Sequence, residues 1–329
     1  MNDIEIAQAV STILSKFTKA TPDEAPATSE AARVDGLDEI VAKALAQHSS
    51  VRDASAISQV AKVANASTGA FDTMDEAISA AVLAQVQYRH CSMQDRASFI
   101  NGIRDVFLQE DVLCALSRMA VEETGMGNYE DKLIKNRVAA LKTPGIEDLT
   151  TSAVSGDGGL TLIEYSAFGV IGSITPTTNP TETIINNSIG MLAAGNTVVF
   201  SPHPRSRKVS LYAVELINNK LAQLGAPANM VVTVTKPSID NTNVLINDPR
   251  INMLVATGGP AIVKTVMSSG KKAIGAGAGN PPAVVDETAD IEKAARDIIK
   301  GCSFDNNLPC VAEKEVIVVN QVADYLIHC

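Results

Sequence analysis

Hydrophobic residues follow a regular α/β pattern from Phe71 onward. Short apolar runs alternate there with segments of helical periodicity. The expected strands are residues 170–174, 197–200, 231–235 and 253–256, and the expected helices include residues 183–194 and 209–224. Gly195 and Gly225 stand where helix C-caps are expected. Strands that recur about every thirty residues with a helix between them form βαβ units, so the pattern predicts a mostly parallel sheet with helices on both faces.

Two helix starts and a hairpin precede these units. Thr73 and Glu76 match a capping box, and Ser92 is expected to begin a second helix. The apolar residues of the second helix share one face, and we expect both helices to cover the sheet. They are Phe99, Ile100, Ile103, Val106 and Phe107. Residues 151–166 hold the turn GDGG (156–159) between two alternating runs, which predicts a β-hairpin of the kind that often serves assembly.

The first 70 residues follow a different pattern. Residues 1–18 place apolar side chains at helical spacing on one face, which predicts a short amphipathic helix. Residues 19–70 are rich in alanine, serine and threonine and predict a flexible linker with weak helices. A helix of this length is marginal alone in water. Two interpretations stay open: a docking element that folds on a partner, or a terminus that frays or folds back on its own domain.

Composition limits the class of protein. The 329 residues are 46% hydrophobic and 19% charged, enough for one large or two ordinary globular domains. A net charge of −10 and the lack of tryptophan argue against binding to nucleic acid or to an anionic membrane surface. No apolar run approaches the roughly 18 residues that a membrane span needs. The five cysteines lack Cys-x-x-Cys spacing and the first residues are acidic, so we expect a reducing cytoplasm and no metal site.

Cys310 is the candidate nucleophile. It follows the glycine-rich residues 275–282, and a thiolate attacks carbonyl carbon readily. The alternative is that this cysteine is a small buried apolar residue, which is the commoner role. That alternative suits Cys91, Cys114 and Cys302, which lie in apolar segments.

Two further motifs follow predicted strands. They are residues 201–204 (SPHP) and 257–260 (TGGP), and ligands of a parallel sheet bind beyond the carboxyl ends of its strands. The bare backbone amides of Gly258 and Gly259 at a helix start suit a pyrophosphate. An ordinary strand-to-helix turn is the alternative.

Five blocks in order resemble the aldehyde dehydrogenase superfamily, from about Phe71 to the end of the chain. They are residues 168–180, 193–202, 257–259 and 279–282, and the segment around Cys310. Within the superfamily, the chain is similar to the CoA-acylating branch of bacterial microcompartments, which serves propanediol and ethanolamine utilisation. The similarity rests on residues 123–127 (ETGMG), 181–187 (TETIINN) and 285–290 (VDETAD).

The resemblance implies an aldehyde dehydrogenase-like fold and a site. Cys310 would attack the aldehyde, hydride would pass from the hemithioacetal to NAD+, and CoA would release the product as acyl-CoA. The Asn179 amide and the backbone N–H of Cys310 would stabilise the oxyanion. The implied cofactor-binding residues are Thr175, Pro176, Thr177, Ser201, Pro202, His203, Thr257, Gly258, Gly259 and Gly277.

The sequence departs from the family pattern at two positions. Ala276 aligns with the glutamate that activates water in hydrolytic members; without a base worth roughly 10² to 10⁴ in rate, the thioacyl enzyme would persist for CoA. Ser201 replaces a lysine that many members place on the adenosine ribose, so NAD versus NADP stays open. Arg205, Arg207 and Lys208 either contact phosphates of the cofactor or CoA, or form a solvated helix start.

The resemblance also implies a domain layout. We expect a Rossmann-type NAD-binding domain at residues 71–280, with the hairpin for oligomerisation, and the start of a catalytic domain at residues 281–329. Family members continue well beyond this chain, so we expect a truncated catalytic domain, weak or absent activity of the chain alone, and a homo-oligomer at full length. A strand at residues 315–319 would have an unpaired edge, and a helix from Val322 an uncovered face.

Residues 1–18 with their tether resemble encapsulation peptides of microcompartment enzymes. A shell or lumen protein would be the partner, and the lumen of a microcompartment in the cytoplasm the location. A short aldehyde is the expected substrate, with propanal favoured over acetaldehyde. Two other functions stay open: a hydrolytic aldehyde dehydrogenase, and an inactive fragment that serves only as a docking module.

Overall fold

The computed structural model describes residues 68–329. The strands are β1 Ala70–Phe71, β2 Ser152–Gly156, β3 Gly159–Ile163, β4 Val170–Thr175, β5 Thr197–Pro202, β6 Val231–Val234, β7 Met253–Thr257, β8 Lys272–Ala276, β9 Pro282–Val285 and β10 Glu315–Val318. The helices are α1 Met74–Tyr88, α2 Met93–Phe107, α3 Glu110–Thr124, α4 Tyr129–Lys142, α5 Pro180–Ala193, α6 Arg207–Gln223, α7 Ile239–Asn247, α8 Pro260–Met267, α9 Ile291–Ser303 and α10 Asn320–His328. Short 3-10 turns span Ile146–Asp148 and Pro204–Ser206, and a turn with left-handed backbone spans Phe304–Asn307.

A six-stranded parallel sheet forms the centre of the described fold, in the order β1-β6-β5-β4-β7-β8. Every residue of β4, β5 and β6 is buried, as expected of strands covered on both faces. The α/β class and the parallel sheet predicted from the sequence are confirmed. The four predicted strands of this sheet match the observed ones to within two residues.

Helices cover the two faces of the sheet with separate apolar cores. On one face, α1 packs on β5 and β6, and its Ile78 shares a core with Val199 and Val232. On the other face, Val198 and Phe200 pack with residues of α5 and α6, such as Ile189 and Ile217. Successive strand residues therefore serve opposite cores, which is the two-residue period of a strand.

The predicted helix starts are confirmed, but one predicted packing is wrong. Thr73 and Ser92 are N-caps with complete capping boxes. The α1 helix covers the sheet as expected, whereas α2 packs mainly on α4, α5 and α6 and forms an outer layer. Its apolar face meets other helices because α5 and α6 already occupy that side of the sheet. Sequence periodicity shows which face is buried, not what covers it.

Two helices begin two or three residues earlier than predicted from the sequence. The α5 helix begins at Pro180 rather than at residue 183, since proline is well suited to a first helical turn. The α6 helix begins at Arg207 rather than at residue 209. Gly195 and Gly225 follow these two helices with φ values of 81° and 72°, so the predicted C-terminal stops are confirmed.

The hairpin of β2 and β3 is antiparallel, with Gly156 opposite Gly159, as predicted. Each of its residues is exposed, including the apolar Val154, Leu160 and Leu162. Exposed apolar side chains on a two-stranded ribbon are typical of a surface that pairs with another chain.

A second, two-stranded sheet pairs β9 with β10 in parallel. The expected strand at residues 315–319 ends at Val318, and α10 begins at Asn320 rather than at Val322, with Tyr325 and Ile327 exposed. The main sheet ends at Ala276 and β9 begins at Pro282. The domain division at residue 280 stays a prediction.

The amphipathic helix predicted at residues 1–18 lies outside the described residues, as does nearly all of the linker predicted at residues 19–70. Among the helices of residues 68–329, none combines the length and apolar character that crossing a bilayer requires.

Candidate active site

A cavity of about 680 Å³ opens at the carboxyl ends of β4, β5, β7 and β8. It is bounded by the loops that follow these strands and by the segment around Cys310. Parallel strands align their carboxyl ends along one edge, where an open α/β sheet binds its ligands. Every residue predicted for the site lines this cavity: Thr175, Pro176, Thr177, Asn179, Ser201, Pro202, His203, Thr257, Gly258, Gly259, Gly277 and Cys310.

Cys310 is an exposed free thiol that follows the turn Phe304–Asn307. Its backbone packs closely against Gly279: a Cβ built on Gly279 would overlap the carbonyl oxygen of Cys310. The glycine-rich segment and the cysteine segment therefore meet because residue 279 has no side chain. The other described thiols are less accessible or lie away from the cavity: Cys91, Cys114 and Cys302 are half-buried, as their apolar segments predicted, and Cys329 is the exposed last residue.

Asn179 is the N-cap residue of α5, and Pro180 occupies the first turn of that helix. The carbonyl of Asn179 accepts a hydrogen bond of 2.6 Å from the Thr183 hydroxyl. Its side-chain Oδ1 accepts a hydrogen bond from Lys135 Nζ, and its Nδ2 donates to Thr178 Oγ1 at 3.1 Å. Both ends of the amide are thus held at the cavity wall.

The predicted cofactor residues line the same cavity. Ser201 Oγ lies 2.9 Å from Thr242 Oγ1, and His203 Nδ1 accepts a hydrogen bond from the Arg205 backbone. Burial, and then the Arg205 guanidinium, lower the pKa of His203, which favours its neutral form. Gly259 is the N-cap of α8 and carries no side-chain cap.

Arg205, Arg207 and Lys208 do not line the cavity. Arg205 Nη2 donates to the Thr124 carbonyl at 2.9 Å. The Glu123 carboxylate accepts hydrogen bonds from the backbone of Lys208 and Val209, so an acidic side chain already caps the start of α6. This geometry favours the structural interpretation of these basic residues over phosphate contact at this helix start.

Ala276, the last residue of β8, lines the cavity. A methyl group can neither accept nor donate a proton. The position expected for a water-activating base therefore offers no such chemistry.

Sequence reasoning missed a cluster of charged residues behind the Asn179 wall. Lys132 and Lys135 of α4 contact Glu182 of α5 and Asp305 of the turn before Cys310. One signal was available, because Lys132 lies at four-residue spacing from the buried Asn136 and Ala140 and therefore on the inward face of α4.

The fold and the cavity define a class of protein: a dinucleotide-type parallel α/β fold whose ligand edge carries an accessible cysteine. The aldehyde dehydrogenase family profile matches residues 41–328. The chain belongs to the aldehyde dehydrogenase family.

Individual relatives are similar over most of the chain. The propanal dehydrogenase (CoA-propanoylating) of Citrobacter freundii is 54% identical over 260 residues, which cover 79% of this chain and 56% of the relative. A crystal structure of Rhodopseudomonas palustris propionaldehyde dehydrogenase, with bound CoA and an acylated cysteine, is 74% identical with a TM-score of 0.77 and covers 79% of this chain and 60% of that chain. A propionaldehyde dehydrogenase from the Clostridium phytofermentans fucose utilisation bacterial microcompartment is 54% identical with a TM-score of 0.76, covering 79% and 59%. This chain therefore spans a little over half the length of these relatives.

Proposed function

We propose that this protein is a CoA-acylating aldehyde dehydrogenase that oxidises a short aldehyde with NAD+ and transfers the acyl group to CoA. The observation that carries the proposal is the shared cavity, in which the Cys310 thiol, the Asn179 amide and the Gly258–Gly259 turn face the same space. The names of the relatives support the proposal, since one relative is CoA-propanoylating and the structure of another holds CoA and an acylated cysteine.

The residues present fit a nicotinamide dinucleotide. Thr175 Oγ1 is buried and has no hydrogen-bond partner among the described residues, although Thr175 lines the cavity. A buried hydroxyl without a partner is costly, so it suits a site that a polar ligand completes. A Cβ on Gly259 or Gly277 would meet nothing within 4 Å, which leaves room for close approach of a ligand. The bound dinucleotide would supply the two-electron oxidation by accepting a hydride.

The chain's own residues would carry the covalent steps. The Cys310 thiolate attacks the carbonyl carbon of the aldehyde and forms a C–S bond, and the carbonyl oxygen takes the negative charge. Asn179 Nδ2 and the backbone N–H of Cys310 donate hydrogen bonds to that oxygen. After oxidation, a thioacyl group remains on Cys310. The CoA thiolate then attacks its carbonyl carbon, and the Cys310 sulfur leaves with its electron pair as the acyl-CoA departs.

Ala276 explains why CoA rather than water would complete the cycle. No side chain at that position can deprotonate water, so the thioacyl group waits for a thiolate, which needs no base at the moment of attack.

The substrate is a short aldehyde, with propanal favoured over acetaldehyde. The names of the first relatives give propanal as their substrate. One methylene is worth only ~1–3 kcal/mol of discrimination, so we expect acetaldehyde to react more slowly rather than to be rejected.

The protein would act as a homo-oligomer in the lumen of a bacterial microcompartment within the cytoplasm. The exposed apolar hairpin of β2 and β3 supports pairing with another subunit. The amphipathic pattern of residues 1–18 supports docking to a shell or lumen protein, and one relative comes from a microcompartment by its name.

The decisive assay follows NADH absorbance with propanal and NAD+, with and without CoA, in a purified protein that extends this chain to the length of its relatives. We expect NADH and propanoyl-CoA only when CoA is present, no reaction in Cys310→Ala, and full reaction in the matched control Cys302→Ala. Carboxylate formation without CoA would instead establish the hydrolytic reaction. Absence of any turnover together with retained partner binding through residues 1–18 would establish the docking module.

A further inference from the structure

A cluster of four buried charged residues lies behind the part of the cavity wall that Asn179 forms. It joins Lys132 and Lys135 of α4 with Glu182 of α5 and Asp305 of the turn Phe304–Asn307. The Asp305 and Lys132 side chains are 0% and 1% exposed, and those of Lys135 and Glu182 are 11% and 10% exposed. Charges so deeply buried are costly unless they are paired, and here two cations face two anions.

The distances within the cluster are those of ion pairs. Lys132 Nζ lies 3.0 Å from Asp305 Oδ2, and Lys135 Nζ lies 2.5 Å from the same oxygen. Lys135 Nζ also lies 3.2 Å from Glu182 Oε1. Burial opposes the charge of Lys135, but Glu182 and Asp305 outweigh it and raise the pKa of its ammonium group. Lys135 therefore stays protonated at neutral pH.

The two lysines also donate hydrogen bonds to Thr178 and Asn179, in the loop before α5. Lys132 Nζ donates to the Thr178 carbonyl at 2.6 Å, and Lys135 Nζ donates to Asn179 Oδ1. An ammonium group has donors and no acceptor, so the amide atom beside it must be the oxygen. The Asn179 NH₂ group is consequently forced to the other side. One of its N–H bonds donates to Thr178 Oγ1, which leaves one further N–H on the group.

The same cluster holds the segment that leads to Cys310. Asp305, Asn306 and Asn307 have φ values of 47°, 55° and 60°, a left-handed run that is strained for residues with a side chain. Such a run persists only where its surroundings hold it. Asp305 Oδ1 accepts from the Asn128 backbone at 3.1 Å, and the Asp305 N–H donates to Asp131 Oδ2 at 2.7 Å, in addition to the two lysine contacts.

We propose that Lys135 is a positioning residue, which fixes the orientation of the Asn179 amide so that its N–H faces the reacting carbonyl oxygen and ties that amide through Asp305 to the turn before Cys310. This inference rests on the proposed function, because it needs Asn179 to act on an oxyanion. Removal of the Lys135 charge would let the amide rotate and present its oxygen, which would repel an oxyanion.

A test that needs neither NAD+ nor CoA uses p-nitrophenyl acetate. The Cys310 sulfur forms a bond to the acetyl carbonyl carbon, the ester C–O bond breaks, and p-nitrophenolate leaves with the electron pair and is read by its absorbance. The first turnover reports acylation through an oxyanion. Alkylation of Cys310 by iodoacetamide is a displacement at saturated carbon and forms no oxyanion, so it reports only the accessibility of the thiol.

The variants are Lys135→Met and, on the same helix, the exposed matched control Lys142→Met. Lys135→Met leaves the cluster with one excess negative charge, which threatens folding. The double variant Lys135→Met with Glu182→Gln keeps the cluster neutral. Its acylation rate is measured instead if the single variant does not fold. Asn179→Ala, alone and with Lys135→Met, completes a double-mutant cycle.

We expect Asn179→Ala to slow acylation by about 10² to 10³ and Lys135→Met to slow it by about tenfold or more, since loss of one oxyanion donor costs rates of this order. Lys142→Met and the iodoacetamide rates should not change, and Lys135→Met should slow acylation much less in the Asn179→Ala background than in the unsubstituted protein. An unchanged acylation rate in Lys135→Met, or an equal loss in both backgrounds, would overturn the inference.

The outcomes also separate this inference from the proposed function. A protein whose ester acylation depends on Lys135, but which forms no acyl-CoA from aldehyde, would refute the proposed function alone. If CoA-dependent aldehyde oxidation occurs at the same rate in Lys135→Met as in the unsubstituted protein, only the positioning role of Lys135 is refuted. Failure of the unsubstituted protein to be acylated at Cys310 would refute the oxyanion site on which both rest.

Discussion

Gly279 packs against the backbone of Cys310 so closely that any side chain at residue 279 would overlap the Cys310 carbonyl oxygen. The contact joins the segment after β8 to the segment that carries the thiol. It is a contact with backbone, which cannot rotate away as the end of a flexible side chain can. The position of Cys310 at the cavity therefore depends on the absence of a side chain at residue 279.

Substitution of Gly279 should consequently displace the nucleophile. We expect Gly279→Ala to lower the free energy of unfolding by about 1–3 kcal/mol, the usual cost of overpacking. We also expect acylation of Cys310 by p-nitrophenyl acetate to slow by about tenfold to 10²-fold, since a displacement near 1 Å can cost about 10². Urea unfolding and stopped-flow absorbance measure the two effects.

Gly158→Ala is the matched control, because a Cβ at residue 158 would meet nothing within 4 Å and this residue of the hairpin turn does not line the cavity. Its stability and its ester acylation rate should equal those of the unsubstituted protein. Equal behaviour of the two alanine variants would show that the contact between Gly279 and Cys310 does not position the thiol.

Ala276 offers a gain-of-function test of the account of CoA dependence. A carboxylate introduced by Ala276→Glu should act as a base toward water, and a positioned base is worth about 10² to 10⁴ in rate. We expect propanoate to form without CoA at least about tenfold faster than before, as measured by chromatography of the product. Ala276→Gln has nearly the same shape and no basic group. If the two variants hydrolyse the thioacyl enzyme equally, the missing base is not what limits hydrolysis.

Acid stability should depend on Asp248. Burial alone would raise the pKa of this carboxyl group, but the side-chain and backbone hydrogen bonds of Arg250 outweigh burial and lower it. A carboxyl group whose pKa is lower in the folded state contributes stability above its ordinary value of 3.8. That contribution is lost as pH falls below 3.8 through the lowered folded value.

We therefore expect Asp248→Asn to be less stable than the unsubstituted protein at neutral pH, with a difference that shrinks as pH falls below 3.8. Urea unfolding followed by circular dichroism over this range measures it. Asp324→Asn makes the same charge change at an exposed position of α10 and serves as the control for net charge. A constant gap between Asp248→Asn and the unsubstituted protein at all pH values would contradict this account.

The sequence predicted the central strands β4, β5 and β6 well because every residue of theirs is buried, whereas the mostly exposed edge strand β8 was not predicted. Runs such as Val170–Thr175 and Thr197–Pro202 are apolar enough to stand out, and Gly195 and Gly225 mark the helix ends through a backbone conformation that favours glycine. The order of strands and the outer position of α2 were not predictable in this way. Both depend on which apolar faces meet, and periodicity records only that a face is apolar.

The site residues that follow strands were predictable for a topological reason. Ser201 and Thr257 lie at the carboxyl ends of the parallel strands β5 and β7, so their approach to one cavity follows from the strand assignment. Asn179 was assigned through the family resemblance instead. Lys135 and Asp305 were not predictable, because charged residues usually lie at the surface, and their burial is visible only once α4 and the turn before Cys310 are in contact.

The most direct test of the whole account is the mass of the protein during turnover. In a protein that extends this chain to the length of its relatives, incubation with propanal and NAD+ but without CoA should add one propanoyl group. Peptide mapping should place it on Cys310, and addition of CoA should remove it as propanoyl-CoA. The Cys302→Ala variant should behave in the same way, and Cys310→Ala should gain no mass. An acyl group on a different residue, or one that is lost equally fast without CoA, would contradict the assignment of Cys310 as the nucleophile of a CoA-acylating enzyme.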